Sequence, residues 1–317
     1  MYYIGIDIGG MSIKTGLVDE TGRLHFKKVF TTKPDEPSLI IISCIADFVK
    51  EMLAENALTL KDISGIGIGI PGSVDSKKGT VRYCCNINLV DVKLVAELSK
   101  LLNFKNIKIS NDANCAALGE TRFGAGRGAA NTVMITLGTG VGSGIISDGR
   151  LFEGGFSAGA EAGHTTVMMK GGDECGCGFK GHWEAYASAT ALIRQTKRAV
   201  EKAPTSKLAE LAEKGVTGRT AFDAAKQGCK AAQKVVRKYL EYVGIGLVNL
   251  CNLFYPEIVI IGGGISNEGD YIIKPLQRYA NKYVYGRGYN PKIKITRAEL
   301  LNDAGIIGAA SLCMEQS

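Results

Sequence analysis

Tryptophan occurs once in 317 residues and proline only seven times. So few prolines, with no Gly-X-Y period, exclude a collagen-like or proline-rich extended chain. No apolar run reaches the roughly 18–20 residues that cross a bilayer, and Met1-Tyr2-Tyr3-Ile4-Gly5-Ile6 has neither the basic segment nor the cleavage site of a secretory signal. The expectation is a cytoplasmic protein without membrane contact. The basic excess is small: 38 Lys and Arg against 31 Asp and Glu leave +7, scattered in pairs such as Lys27-Lys28 and Lys77-Lys78. No tract follows a nucleic acid backbone, and none is expected as a partner. Nine cysteines, an odd number, read in a reducing compartment as buried apolar groups or thiolate ligands rather than disulfides.

Glycine is in excess, 41 of 317 or about 13% against a usual ~7%. With so few prolines, the glycines are expected to serve turns. The length suits about two domains. Residues 4–8 and 12–18 read as a hairpin around Gly9-Gly10, and residues 133–148 align without gaps on residues 4–19, pairing Asp7 with Thr136 and Gly9 with Gly138. The chain therefore reads as two related lobes. Strands are expected at 63–70, 107–109, 258–261 and 293–296. Helices are expected at 38–58, 90–102, 112–120, 184–200, 207–214, 220–227, 229–253, 271–283 and 304–314, giving an alternating α/β fold.

Several residues stand out chemically. Asp7 ends a strand beside Gly9-Gly10, where bare backbone N–H groups can approach a phosphate and the carboxylate can hold Mg²⁺ through water. Thr136, Gly138, Thr139 and Gly140 in the second hairpin, and Gly262-Gly263-Gly264 after a strand, repeat the arrangement. One such turn alone is a tight hairpin; three following strands point to a nucleotide cradle. No Walker A or G-x-G-x-x-G loop is present. Asp112, in Asn111-Asp112-Ala113-Asn114, stands where a strand hands over to a helix: it is either the N-cap or a base that takes a proton from an alcohol. His164 and His182 bracket Cys175-Gly176-Cys177, a donor set suited to tetrahedral Zn²⁺ with all four positions filled, hence a structural ion. His25 reads as a surface or satisfied histidine.

Taken together, IGIDIGGMSIKTGLVD, GIGIGIPGSVD, NDANCAALGE, ITLGTGVGSGII, GAEAGHTTV, CGCGFKGHWEAYAS and VIIGGGIS resemble the ROK family of bacterial sugar kinases and sugar-responsive repressors, nearly end to end. The resemblance implies a two-lobed actin-like (ribonuclease H-like) ATPase fold with an interlobe cleft. The small lobe would span 1–111, joined by 301–317, and the large lobe 112–300. It implies a kinase transferring the γ-phosphate of Mg-ATP to a hexose, foremost glucose at its 6-hydroxyl, with N-acetylmannosamine, N-acetylglucosamine, fructose and allose as alternatives. By the same resemblance Asp112 is the general base, and Asn111, Glu161, His164 and Glu184 bind the sugar, with Gly72 and Asn86 beside it. Asp7, Gly9, Gly10, Lys14, Thr136, Gly138, Thr139, Gly140, Gly262 and Gly263 line the nucleotide site, and a homodimer is expected.

Two residues depart from the family pattern. His182 stands where a third cysteine is usual, making the zinc set Cys₂His₂ with His164, Cys175 and Cys177. Met11 stands where a threonine hydroxyl would meet the phosphates. Three rival readings are a DNA-binding repressor, an iron–sulfur ATPase and a non-catalytic sugar sensor. The first phosphate hairpin beginning at Ile4, the two histidines beside Cys-x-Cys and the presence of Asp112 count against them in turn.

Overall fold

The computed structural model describes every residue except 11, 33, 85, 86 and 315–317. Strands β1 (Tyr2–Ile8), β2 (Ser12–Asp19) and β3 (Leu24–Thr31) form an antiparallel meander, and residues along β3 alternate in exposure, as an edge strand requires. Helix α1 (Ser38–Glu55) leads to β4 (Ile63–Ile70), whose Ile66, Ile68 and Ile70 are fully buried. The short strands β5 (Ser73–Asp75), β6 (Thr80–Tyr83) and β7 (Val90–Val92) form a separate sheet, followed by α2 (Leu94–Leu102), β8 (Ile107–Asn111) and α3 (Asp112–Phe123). Strands β1, β4 and β8 run parallel, giving the order β3-β2-β1-β4-β8. The helix expected from residue 90 begins at Leu94, because Val90 and Val92 pair with Tyr83 and Val81.

The pattern then repeats. β9 (Thr132–Leu137), β10 (Val141–Ser147) and β11 (Arg150–Leu151) precede α4 (Glu184–Ala187), α5 (Ala189–Lys202), α6 (Lys207–Ala212), α7 (Thr220–Lys226) and α8 (Lys230–Phe254). β12 (Ile258–Gly262), α9 (Asp270–Tyr283), β13 (Lys294–Arg297) and α10 (Ala304–Ser311) complete the chain. The second sheet, β11-β10-β9-β12-β13, matches the first position by position, the order that duplication of one ancestral unit produces. The helix expected over 184–200 is two helices, because Ser188 caps α5 through its side chain, accepting from Ala191 N at 3.0 Å.

Two compact units result: Met1–Thr132 with Gly144–Ala160 and Glu299–Ser317, and Val133–Ser143 with Glu161–Ala298. The glycines are not all in turns. A β-carbon on Gly67 would lie 1.7 Å from the carbonyl oxygen of Ala309, and one on Gly308 would lie 1.6 Å from that of Cys115. These glycines let α10 lie backbone to backbone on β4 and on α3, the helix that opens with Asp112.

Candidate active site

In the first unit, the hairpin register sets Asp7 opposite Lys14, and Lys14 Nζ lies 3.0 Å from Asp7 Oδ2. Gly305 leaves the space this carboxylate occupies, since a β-carbon there would come within 2.8 Å of Asp7 Cγ. Gly9 is held by its own hairpin, its N–H donating to Ser12 O at 2.9 Å and its carbonyl accepting from Thr32 Oγ1 at 2.8 Å. Gly10 lies in the bend beside it. Met11 and Asn86 lie outside the described residues.

The parallel partners β4 and β8 end side by side at Ile70 and Asn111. Asn111, rather than Asp112, caps α3: its Oδ1 accepts from Ala113 N at 2.9 Å and Asn114 N at 3.3 Å. Asp112 is the first helical residue, half-buried, with Oδ1 2.9 Å from the same Ala113 N. Asn111 Nδ2 donates to Gly72 O at 3.2 Å, so the Pro71-Gly72 turn and the cap are tied together. Gly72 has φ +101° and would meet Tyr83 O at 2.3 Å with a β-carbon, which restricts the position to glycine.

The sequence reading missed Glu153. Its Oε1 accepts from the fully buried Ser110 hydroxyl at 2.5 Å and its Oε2 from Ser76 Oγ at 2.6 Å, bracing the strand end immediately before Asn111. The signal was its place in the glycine-rich stretch that also contains Glu161. Glu120, fully buried, was missed too; it accepts from the backbone N–H groups of Ala125, Glu299 and Leu300 and so ties α3 to the segment before α10.

In the second unit, His164, Cys175, Cys177 and His182 converge with their ligand atoms within 4.8 Å of one another. His164 Nδ1 is 3.7 Å from Cys175 Sγ, and His182 Nδ1 is 3.2 Å from Cys177 Sγ. Ordinary Zn–S and Zn–N bonds in a tetrahedron separate ligand atoms by about 3.3–3.8 Å, so the cluster comes within about 1 Å of that spacing, and its thiol and imidazole donors suit the ion. Burial pushes the Cys175 thiol up to about 12, with Glu184 adding to the effect; a divalent cation reverses that preference.

Glu184, the first residue of α4, connects this loop to the second hairpin. Its Oε2 accepts from Val141 N at 3.0 Å, and its Oε1 lies 3.4 Å from Cys175 Sγ. Gly140 makes the approach possible, because a β-carbon there would sit 2.2 Å from Oε2. Gly138 and Thr139 offer their carbonyls to Ala189 N and Thr190 Oγ1, both at 2.8 Å, while Gly138 itself faces open space. Thr136 is half-buried on β9. Gly262 ends β12, and Gly263, at φ +79°, lies against the backbone of Leu137. Glu161 precedes the short turn Ala162–His164; burial pushes its carboxyl up, with His164 opposing and Glu184 reinforcing.

The family model for the ROK family matches residues 3–316. The chain is 38% identical to a glucokinase of Streptomyces coelicolor over 98% of this chain and 97% of that protein. It is 37% identical to a glucokinase of Thermotoga maritima over 99% and 97%. Among solved structures, the ROK family glucokinase of Streptomyces griseus in complex with glucose and AMPPNP superimposes with a TM-score of 0.82 at 36% identity, over 98% of this chain and 99% of that one. With paired α/β sheets of matching order and relatives aligned along nearly its whole length, the chain belongs to the ROK family and carries its actin-like ATPase fold.

Proposed function

We propose that the chain is an ATP-dependent hexose kinase that phosphorylates glucose at its 6-hydroxyl. Its relatives named glucokinases support the activity. The observation that carries the chemistry is the division of labour at the end of β8. Asn111 occupies the cap, which leaves Asp112, whose Oδ1 also accepts from Ala113 N, as the half-buried carboxylate that opens α3 directly after β8.

In this reading Asp112 takes the proton of the sugar hydroxyl as its oxygen bonds to the γ-phosphorus and the bond to ADP breaks. Phosphoryl transfer asks the protein mainly for position and charge neutralisation. Asn111 Nδ2, the carboxylates of Glu161 and Glu184 and the free ring edge of His164 bind the sugar hydroxyls. Gly72 and Asn86 have the same role by family resemblance. Asp7 and Lys14 provide the charged groups toward the triphosphate and its Mg²⁺, and the phosphates rest on backbone amides around Gly9, Gly10, Gly138, Thr139, Gly140, Gly262 and Gly263, with Thr136 alongside. Mg²⁺, when bound, neutralises charge on the phosphates. Zn²⁺ on His164, Cys175, Cys177 and His182 fixes the loop and the orientation of the His164 ring. The same proposal carries a homodimer and a cytoplasmic location.

The test is a coupled ADP-release assay over glucose, fructose, allose, N-acetylglucosamine and N-acetylmannosamine. Glucose should give the highest kcat/KM. Asp112→Asn should lower kcat by at least about 10³-fold while leaving ATP affinity unchanged, on the scale of losing a general base. Turnover retained in Asp112→Asn removes the base, and hexose binding without ADP release from any sugar replaces the enzyme with a sugar sensor.

A further inference from the structure

A cavity of about 540 Å³ in the second unit is lined by α5 and α8 and takes no part in the chemistry above. Arg198 and Lys202 face it from α5, and Lys234 and Lys238 from α8, each pair one helical turn apart. Like charges at that spacing repel, and here two such pairs border one volume. Among the described residues one carboxylate, Asp173, lines the cavity, and Arg194 and Arg198 already hold it at 3.0 and 3.1 Å. Lys238 has Glu241 at 3.4 Å. Lys202 and Lys234 have no partner among the described residues.

The remaining wall combines small apolar residues, Ala199, Ala203, Ala231 and Val235, with two tyrosines, and Lys238 Nζ lies 4.8 Å from the Tyr242 ring centroid. The rings of Tyr186 and Tyr242 lie 4.7 Å apart, tilted by 36°. Gln195 lines the same space, its Nε2 donating to Tyr186 O at 2.9 Å while its Oε1 is closed off from solvent. Two uncompensated ammonium groups fit the doubly charged oxygens of a phosphate monoester. A tyrosine pair fits the flat face of a sugar ring or base. The volume lies in the range of small-molecule sites. We propose that this cavity is a second ligand site, taking an organic phosphate monoester with its phosphate on Lys202 and Lys234 and its body against Tyr186 and Tyr242.

The protein contains its own reporter. Trp183, the single tryptophan, is fully buried and donates from Nε1 to the carbonyl oxygen of Tyr242 at 2.7 Å. Glucose 6-phosphate, AMP and inorganic phosphate are titrated separately into the full chain, with excess glucose and AMPPNP present, following Trp183 fluorescence and calorimetric heat. The expected result is saturable binding of glucose 6-phosphate or AMP at one per chain, tighter than inorganic phosphate, the tighter arm naming the source. Lys202→Ala with Lys234→Ala should weaken it about tenfold or more, a change of about 1.4 kcal/mol, with kcat on hexose unchanged. Binding unaltered by that double variant, inorganic phosphate binding as tightly as the esters, or no binding by any probe overturns the proposal. The readout is binding and does not depend on whether the chain phosphorylates a sugar.

Discussion

Glu184 Oε2 accepts the backbone N–H of Val141 at 3.0 Å, so the carboxylate that begins α4 is fixed to the glycine hairpin opening at Gly138. This bond explains why Gly140 carries no side chain. It also leaves Oε1, beside Cys175, as the oxygen with capacity for a ligand. Glu184→Gln retains the acceptor toward Val141 and removes the charge. A hydrogen bond to a charged group contributes about 1.5–3 kcal/mol, so the hexose KM should rise by roughly ten- to a hundredfold with kcat little changed and thermal midpoint preserved. An unchanged KM removes Glu184 from the sugar site.

The Cys₂His₂ cluster predicts about one zinc per chain in protein purified without added metal, read by elemental analysis. Cys175→Ser with Cys177→Ser should abolish it and raise protease sensitivity between residues 164 and 184. The rest of the second unit, with its own buried core around Phe222, Tyr239 and Leu247, should stay folded. A stoichiometry near zero in the native chain discards the site.

The convergence of His164, Cys175, Cys177 and His182 was legible because they lie close together in the sequence. The Asp7–Lys14 pair was not read from the sequence, although it follows from the hairpin register once β1 and β2 are aligned. Asn111 and Asp112 were not separable by inspection, since both residue types cap helices equally well and only the backbone decides which occupies the cap. Glu153 stands in the same glycine-rich stretch as Glu161, but its role was not legible, because its partners Ser76 and Ser110 are distant in sequence and no local period announces such a contact. The break at Ser188 was concealed because the apolar spacing continues across it.

Glycine in a strand or helix reads as a turn or a weakness, yet Gly308 is required by contact, its missing β-carbon falling 1.6 Å from Cys115 O. The obstacle is backbone, which cannot rotate aside. Gly308→Ala should therefore cost about 3 kcal/mol or more, the upper end for overpacking, or prevent accumulation of folded protein. Gly155 has open space and no left-handed backbone, so Gly155→Ala is the control. It should change stability by no more than about 1 kcal/mol, and urea unfolding of the pair measures the contrast. Equal stability of the two variants would falsify the backbone-contact argument.

Asp19 gathers the turn after β2. Its Oδ1 accepts from Thr21 N, Thr21 Oγ1 and Arg23 N at 2.9, 2.6 and 3.1 Å, and its Oδ2 lies 2.6 Å from His25 Nε2. Burial works to raise its carboxyl, but these hydrogen bonds outweigh it and hold the group far below its ordinary 3.8. A carboxylate depressed by folding contributes stability that is complete above the unfolded value and is lost as pH falls below it toward the folded one. Asp19→Asn should thus be less stable than the parent by about 1 kcal/mol at neutral pH, on the scale of a net hydrogen bond. The gap should persist at about pH 5 and narrow as pH drops below about 3.8. Urea denaturation of both proteins across that range measures it, and a gap that widens in acid reverses the sign and dismisses the assignment.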